Sequence, residues 1–233
     1  FVKYYLNPLY LMMLIFLTFL IGSLLFFLKI KSINVSCIKV GVVDTNLSES
    51  YKQKYNVSCF VQCTSNIMTD STHADMVVDT IKSRDSNCEI YLANVLNAKD
   101  IGAIDDVIKA LEWLKEKEVD IICMSLTTFE DNEGIRQTIN EIIKSNTLIV
   151  ASCLNYSNAI TFPACYDGVI SVANCNHEQA SISITSREIK DELKATKWQE
   201  CSTSILTAYI TGELSKEMSD GKFDLDKFIL KYN

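Results

Sequence analysis

Four polar side chains in this sequence are of the types that together perform nucleophilic catalysis. Asp44 ends the apolar segment VGVVD, His73 precedes ADMVVDTIKS, Asn155 ends LIVASCLN, and Ser204 precedes an apolar segment late in the chain. A serine hydroxyl is a poor nucleophile until a base takes its proton, and histidine, with an ordinary pKa of ~6.5, is the natural base. An aspartate can fix the imidazole tautomer, and an amide can donate a hydrogen bond to an oxyanion.

Each of these residues also has an ordinary structural explanation. Asp44 could cap a turn, and an acid after a first strand also occurs in receiver and phosphatase folds. His73 could be a surface histidine, and Ser204 could lie in the first turn of a helix capped by Ser202 or Thr203. Their order along the chain and their shared position beside apolar segments favour the catalytic explanation.

The elements that must position these residues can be predicted from the hydrophobic pattern. Five short apolar segments, apolar on both faces, are typical of strands in a parallel sheet that is covered on both sides. They are 38–44, 89–96, 120–126, 147–154 and 168–175. Between them, 74–83, 103–118 and 133–145 have apolar residues at helical spacing. This alternation predicts a doubly wound α/β domain, with a mostly parallel sheet and helices on both faces. Ligands of such sheets lie at the carboxyl ends of the strands.

Charge is unevenly distributed along the chain. The 233 residues carry a net charge of −7, but residues 1–40 contain four lysines and no acid, so residues 41–233 have a net charge of −11. Nucleic-acid binding needs a basic surface. The sequence therefore predicts no nucleic-acid partner and favours neutral or basic peptides.

Near its start, the chain has twenty residues without a charge, from Leu9 to Leu28. As a helix with a rise of ~1.5 Å per residue, this segment would cover ~30 Å, the thickness of a bilayer core. The absence of a polar face argues against a buried core helix. The length of the segment and the lack of a small-x-small site argue against a cleaved signal peptide. We therefore expect a membrane anchor over residues 1–37, with a single transmembrane helix at about 9–28, followed by one domain over 38–233.

The nine cysteines do not form a metal-binding pattern. There is no C-x-x-C pair and there are only two histidines, so we expect no zinc or other metal site and no cofactor. Cys123, Cys153 and Cys175 lie within segments predicted to be buried strands. The odd number and the burial favour free thiols in a reducing compartment. This favours a domain on the cytoplasmic side of the membrane.

With their neighbours, the candidate residues resemble the motifs of the subtilisin-like serine proteases, the subtilases of peptidase family S8. VGVVDTN resembles the strand and D-T-G or D-S-G motif of the triad aspartate, here Asp44. STHADMVVDTI resembles the H-G-T-x-V motif of the triad histidine, here His73. CSTSILTAYITG resembles the G-T-S-M-A or G-T-S-F-A motif of the nucleophile, here Ser204. The resemblance extends from about Ile38 to about Glu217, and it implies a subtilisin-like fold and an Asp-His-Ser triad.

Further motifs imply how a substrate would bind. DIICMSLTT resembles the strand that pairs with extended substrate, here Ser125, Leu126 and Thr127. LIVASCLN resembles the segment that ends in the oxyanion-hole asparagine, here Asn155, and FPACYDGVISVAN resembles the stretch that follows it. The resemblance implies a peptide or protein substrate.

The family's glycines are replaced at four motif positions, by Asn46, Ala74, Leu154 and Ser202. Glycine allows positive φ and close backbone approach. Asn46 tolerates the left-handed region, and Ala74 is compatible with a helix start. By the resemblance, Leu154 and Ser202 flank the oxyanion hole and the specificity pocket, and Leu154 would place a branched side chain where substrate binds.

Three functional hypotheses follow. The first is a membrane-anchored serine endopeptidase that, by analogy with small subtilases, removes a leader segment from peptide precursors. The second is a pseudoprotease that binds peptides in the same cleft without cleaving them. The third is an unrelated flavodoxin-like binding domain, in which His73 and Ser204 would be coincidental.

Overall fold

The computed structural model describes residues 37–61, 73–97, 99, 101–155, 159–173, 182–185, 202–221 and 223–232. The predicted anchor at residues 9–28 lies outside these residues, as does Cys175. Within the part of the chain that is described, no helix is both long and apolar enough to cross a bilayer.

Seven strands and six helices are found in the described residues. The strands are β1 (Lys39–Asp44), β2 (Ser58–Val61), β3 (Glu89–Asn94), β4 (Ile121–Met124), β5 (Leu148–Ser152), β6 (Ile170–Ala173) and β7 (Ile182–Thr185). The helices are α1 (Glu49–Tyr55), α2 (His73–Arg84), α3 (Ile104–Glu116), α4 (Glu133–Lys144), α5 (Thr203–Ser219) and α6 (Leu225–Lys231).

The seven strands form one sheet in the order β2-β3-β1-β4-β5-β6-β7. Each neighbouring pair is parallel, which confirms the predicted parallel sheet. The order reverses between β1 and β4, because β1 is followed along the chain by β2 and β3 on one side and by β4 on the other. A reversal of this kind leaves a crevice at the carboxyl ends of the two strands, and such crevices bind ligands in open α/β sheets.

Alternating residues of the strands pack into two separate cores, one on each face of the sheet. Val40 and Val42 of β1 pack on the face that carries α2, α5 and α6. Val43 packs on the opposite face, against α3 and α4. Both of these helices bury residues three or four positions apart, as an amphipathic helix does, with Leu111 and Leu114 of α3 as examples. The predicted doubly wound architecture is therefore confirmed.

Helix α5 is buried along most of its length. Every residue from Thr203 to Ser215 is buried except Ser204, which is partly exposed. The helix packs against α2 and against the central strands β4, β5 and β6. At Gly212 the approach to α2 is so close that a Cβ would lie 2.7 Å from Cβ of Arg84 and 2.8 Å from the carbonyl oxygen of Ile81.

Some elements differ from the prediction for identifiable reasons. Strand β4 ends at Met124, not at 126, because the chain leaves the sheet ladder to border the crevice. Helix α1 was not predicted because it has no buried residue and hence no apolar stripe. Strands β2 (SCFV) and β7 (ISIT) were not predicted because neither lies within a longer continuous apolar segment.

Candidate active site

Asp44, the last residue of β1, is fully buried and uses both carboxylate oxygens. Oδ1 accepts a hydrogen bond from the Thr45 backbone N–H at 2.6 Å, and Oδ2 accepts one from the Ser125 hydroxyl. His73 Nδ1 lies 2.8 Å from Oδ1 and 3.0 Å from Oδ2. An ionised carboxylate only accepts hydrogen bonds, so Nδ1 carries the proton in this arrangement. The strand end thus sets both the orientation and the tautomer of the imidazole.

The orientation of Ser125 follows from the period of two along the strands. Val40 and Val42 share a face with Asp44, and Cys123 shares that face with Ser125. The two polar residues at the ends of β1 and β4 therefore point to the same side of the sheet. The sequence motif implied substrate binding for Ser125, and this alternation was the signal that could have indicated its contact with Asp44.

Ser204 is the second residue of α5. Ser202 is the N-cap of that helix, and its hydroxyl accepts a hydrogen bond from the Ile205 N–H at 3.4 Å. Ser204 is therefore not the cap. Its hydroxyl donates to the carbonyl oxygen of Ser125 at 3.4 Å.

The first backbone N–H groups of α5 differ in their partners. Such groups have no acceptor within their own helix. The Thr203 N–H donates to Asn155 and the Ile205 N–H to Ser202. Among the described residues, the Ser204 N–H has no hydrogen-bond acceptor. A donor at a helix N-terminus, beside the serine hydroxyl, is well placed for a developing negative charge.

Asn155, three residues beyond β5, is held by the start of α5. Its Oδ1 accepts hydrogen bonds from the Thr203 N–H at 2.8 Å and from the Thr203 hydroxyl at 3.1 Å. A backbone N–H can only donate, so the oxygen and not the nitrogen of the amide must face Thr203. The side-chain NH₂ group is consequently directed away from Thr203.

A cleft of about 430 Å³ brings several of the predicted site residues together. His73, Ser204 and the segment Ser125–Thr127 all line it. The apolar residues of its floor and walls include Leu96, Ile104, Val107, Met124, Ile135 and Phe162. Leu154 is partly exposed, and neither it nor Asn155 is among the described residues that line this cleft. The predicted contact of Leu154 with substrate stays a prediction.

One wall of the cleft is held by Phe162 and Tyr166. Thr128 and Phe162 exchange two backbone hydrogen bonds of 2.8 Å, and the rings of Phe162 and Tyr166 are in tilted contact with centroids 4.8 Å apart. The Tyr166 hydroxyl accepts from the Asn132 N–H at 3.1 Å and lies at the same distance from Asp131 Oδ1. Burial raises the pKa of Tyr166, which therefore stays protonated.

At the four positions where the family has glycine, the backbone of this chain does not need the conformational freedom of glycine. Positive φ at non-glycine residues of the described chain occurs at Asn56, Glu118 and Asn146, and at none of the four positions. Ser202, for example, has a φ of −74°. The replacements therefore change the space around the backbone, and they leave its conformation unstrained.

The described part of the chain contains no group of three or more His, Cys, Asp or Glu side chains that could hold a metal ion. Six described cysteines have free thiols, and Cys123 and Cys153 are buried as predicted. Burial raises the pKa of Cys88 and of Cys123 to about 12. Both thiols stay protonated and unreactive at neutral pH.

Comparison with known proteins identifies the family. The model of the subtilase family, Peptidase_S8, matches residues 36–200 of the chain. The chain belongs to the subtilase family. The matched residues end just before Ser204. The proposal that this serine is the nucleophile therefore rests on its sequence motif and on its place in the cleft.

Several bacterial subtilases are similar in sequence. Subtilisin DY of Bacillus licheniformis is 27% identical over 66% of this chain and 62% of its own length. The minor extracellular protease Epr of Bacillus subtilis (strain 168) is 26% identical over 75% of this chain and 29% of its own length. An intracellular serine protease of Paenibacillus polymyxa is 25% identical over 59% and 48%. The chain thus spans less than two thirds of the length of these curated relatives.

Solved structures show the same fold. The prenylagaramide maturation protease PagA has a TM-score of 0.59 at 17% identity, over 80% of this chain and 78% of PagA. A serine-to-alanine mutant of the protease domain of PatA has a TM-score of 0.58 at 13% identity, over 79% and 82%. The predicted subtilisin-like fold is confirmed, and the alternative of an unrelated flavodoxin-like domain is wrong.

Proposed function

We propose that this subtilase is a serine endopeptidase that hydrolyses peptide bonds with Asp44, His73 and Ser204. The observation that carries the proposal is that His73, oriented by the buried Asp44, lines the same cleft as Ser204. Ser125 contacts both ends of this set, through its hydroxyl to Asp44 and its carbonyl to Ser204. A triad is recognised by such geometry and by the roles it allows.

The chemistry begins with proton transfer from Ser204 to His73. Nδ1 of His73 faces Asp44, so Nε2 is the nitrogen that takes the proton as the Ser204 oxygen attacks the substrate carbonyl carbon. The imidazolium formed is stabilised by the carboxylate of Asp44. His73 then gives the proton to the leaving amine. Water, activated by the same nitrogen, hydrolyses the resulting ester at Ser204.

The negative oxygen of the tetrahedral intermediate needs hydrogen-bond donors that are already in place. The Ser204 backbone N–H at the start of α5 is one proposed donor. The other is the side-chain NH₂ of Asn155, whose orientation is set by Thr203. Loss of one such donor costs on the order of 10²–10³ in turnover.

We propose that the substrate is a peptide or protein segment lying along Ser125, Leu126 and Thr127. This segment leaves the sheet ladder after β4 and borders a cleft with several apolar side chains. Two large apolar side chains beside the cleft are well exposed, Ile101 at 62% and Phe129 at 70%. Apolar substrate side chains would cover this surface, and no cofactor or nucleic acid takes part.

We also propose that residues 9–28 anchor the protein as a single-pass membrane helix, with the catalytic domain on the cytoplasmic side. The uncharged segment and the free thiols motivate this. Small peptide precursors are the proposed substrates, and the structurally similar PagA is named a prenylagaramide maturation protease. The full-length chain should sediment with membranes and resist carbonate extraction, and recovery in the soluble fraction would contradict the anchor.

A catalytically impaired pseudoprotease is the alternative function. The specific observation that favours it is the presence of Leu154 and Ser202 at glycine positions of the family. Extra side-chain volume beside the oxyanion donors would exclude the scissile bond while leaving the cleft able to bind a peptide.

A fluorophosphonate probe separates the two functions. We expect the full-length chain to be labelled at Ser204 and to cleave members of a peptide library, and we expect Ser204→Ala to lose both properties. Ser219→Ala, which removes an exposed hydroxyl at the other end of α5, is the matched control and should keep both. If the parent takes no probe and cleaves no peptide, the pseudoprotease replaces the endopeptidase.

A further inference from the structure

Two hydrogen bonds tie the first turn of α2 to the segment that follows β1. The Ala74 N–H, directly after His73, donates to the Thr45 hydroxyl at 3.0 Å. The Ser48 N–H donates to Oδ1 of Asp75 at 2.9 Å. Helix α2, which begins at the proposed base His73, is thus attached through Ala74 and Asp75 to the segment that follows Asp44.

Asp75 is an unusual residue for such a position, because its carboxylate is almost entirely buried, with 1% exposure. Burial of a carboxylate is costly unless it is hydrogen-bonded. Its partner Ser48 is a fixed point, because it is the N-cap of α1 and its carbonyl accepts from the N–H groups of Tyr51 and Lys52. The neighbouring Leu47 is fully buried in the core below. Asp75 therefore connects α2 to a rigid part of the fold.

Apolar packing alone does not determine where His73 lies. Val77, Val78 and Ile81 bury one side of α2 against the sheet, but the hydrophobic effect is non-directional. A helix held only in this way can shift along its axis or rotate slightly at little cost. A hydrogen bond of defined length and direction near the helix start removes that freedom.

We infer that Asp75 is a positioning residue of this site: by holding the Ser48 N–H, its buried carboxylate keeps the imidazole of His73 opposite Asp44. The inference rests on the proposed function. Asp75 is absent from the described lining of the cleft, so it acts through His73 and does not touch substrate.

The charge of Asp75 offers a competing explanation that the test must separate. Residues two apart on a helix do not face each other, so Asp75 and His73 point in different directions. Among the described residues, Asp44 of β1 is a charged group that contacts His73 across the packing interface. Further along α2, Asp79 is paired with Lys54 and with the Tyr55 hydroxyl of α1. The contact with Ser48, rather than the field of the carboxylate, is the proposed cause.

The direct readout is the proton NMR signal of Nδ1–H of His73. When a carboxylate holds this proton, its resonance moves downfield and the proton exchanges slowly with solvent. The spectrum is taken on the full-length chain in mild detergent, in a Ser204→Ala background that prevents self-cleavage. The chain has two histidines, so His177→Gln assigns the signal. We expect Asp75→Ala to move the resonance upfield and to speed its exchange.

A second variant removes the same hydrogen bond from the other side. Ser48 has a φ of −63°, which proline adopts without strain, so Ser48→Pro deletes the donor and keeps the backbone path. It should change the His73 signal in the same way as Asp75→Ala, whereas Ser48→Ala, which keeps the N–H, should not. In the catalytically intact chain, Asp75→Ala and Ser48→Pro should lower kcat about 10- to 100-fold with little change in KM.

Two further variants make the result specific. Asp75→Asn keeps an acceptor oxygen without the charge and should restore most of the signal and of kcat. Asp85 is another buried acid, just beyond the other end of α2, and it accepts the Asn87 N–H at 3.0 Å. Asp85→Ala should cost comparable stability while leaving the His73 resonance unchanged.

Each result decides the inference. It is overturned if the parent shows no protected Nδ1 proton, if Asp75→Ala leaves that proton unchanged, or if Asp75→Asn is as impaired as Asp75→Ala. It is also overturned if Asp85→Ala has the same effect. If the resonances behave as expected but the parent takes no fluorophosphonate probe, the positioning role stands and the proposed protease activity is what fails.

Discussion

Ser125 contributes to the site with two different atoms. Its hydroxyl donates to Asp44, and its carbonyl accepts from the Ser204 hydroxyl. The residue is 7% exposed, so water does not readily replace either contact. A single position therefore connects the acid and the nucleophile of the proposed triad, in addition to its expected role along the substrate.

Replacing Ser125 by Ala should remove the hydroxyl that donates to Oδ2 of the buried Asp44 and leave, among the described residues, only the contact of that oxygen with His73. Such a loss costs about 1–3 kcal/mol, and part of it should appear as poorer alignment of His73. We expect kcat to fall about tenfold with a smaller change in KM, measured by steady-state peptide cleavage with active-site titration.

The matched control for Ser125 is Ser215, a buried serine whose hydroxyl donates to Asp85 far from the cleft. Ser215→Ala should lower stability to a similar degree and leave kcat per active site unchanged. Equal losses of kcat in the two variants would show that the effect of Ser125 is only a general loss of stability.

At the scale of elements, the segment from Leu126 to Asn132 forms a wall of the cleft without belonging to a helix or strand. It is held by the Thr128–Phe162 hydrogen bonds and by the Tyr166 hydroxyl at Asn132. A loop that borders substrate and has so few attachments depends strongly on each one.

Tyr166→Phe should therefore act on substrate binding and not on chemistry. Removing the hydroxyl leaves the ring contact with Phe162 intact but takes away hydrogen bonds worth about 1 kcal/mol each. We expect KM for peptide substrates to rise severalfold with kcat nearly unchanged. Tyr51→Phe, on the distant helix α1, provides the comparison, and a fall in kcat alone for Tyr166→Phe would contradict the assigned role.

Much of this site could be predicted from sequence, and the limits have physical causes. Asp44 and Ser204 stand next to strong local patterns, a buried strand and a capped helix, so their positions follow from short stretches of chain. The Asn155 amide is oriented by Thr203, 48 residues away, and no local pattern reports that contact. The order of the strands also depends on long-range pairing, which hydrophobic periodicity does not record.

Across the whole molecule, an ion-pair network joins helices that are distant in sequence. Glu213 of α5 lies 2.6 Å from Nε of Arg84 at the end of α2, and it accepts from the Tyr232 hydroxyl at 3.0 Å. Burial by itself would raise the pKa of Glu213, but its hydrogen bonds to Arg84 and Tyr232 outweigh burial and lower this pKa below its ordinary value. The residue is 7% exposed, so the network is largely shielded from solvent.

Glu213→Gln should lower the free energy of unfolding at neutral pH by about 3 kcal/mol, because it removes the negative charge that is paired with the partly buried Arg84. A carboxyl whose pKa is lowered in the folded state contributes stability above its ordinary pKa of ~4.3 and loses it as pH falls through the folded value. The difference between parent and variant should therefore shrink below about pH 4, measured by urea unfolding across pH.

Glu217→Gln is the control for that titration. Glu217 is paired with Lys231 at 2.9 Å but is far more exposed, with 35% of its side chain accessible. Its loss should cost under about 1 kcal/mol. A pH-independent difference for Glu213→Gln would show that the effect is one of packing and not of charge.

The near-complete burial of α5 also bears on how the protein is made. Synthesis runs from the amino terminus, so β1 to β6 leave the ribosome before Thr203 does. The face of β4, β5 and β6 that α5 covers has no other helix to take its place in the described fold. A growing chain therefore carries an open apolar sheet face until the very segment that holds Ser204 has emerged. Completion of the core and emergence of the proposed nucleophile therefore coincide, so the proposed activity would begin only in a chain that has been synthesised through α5.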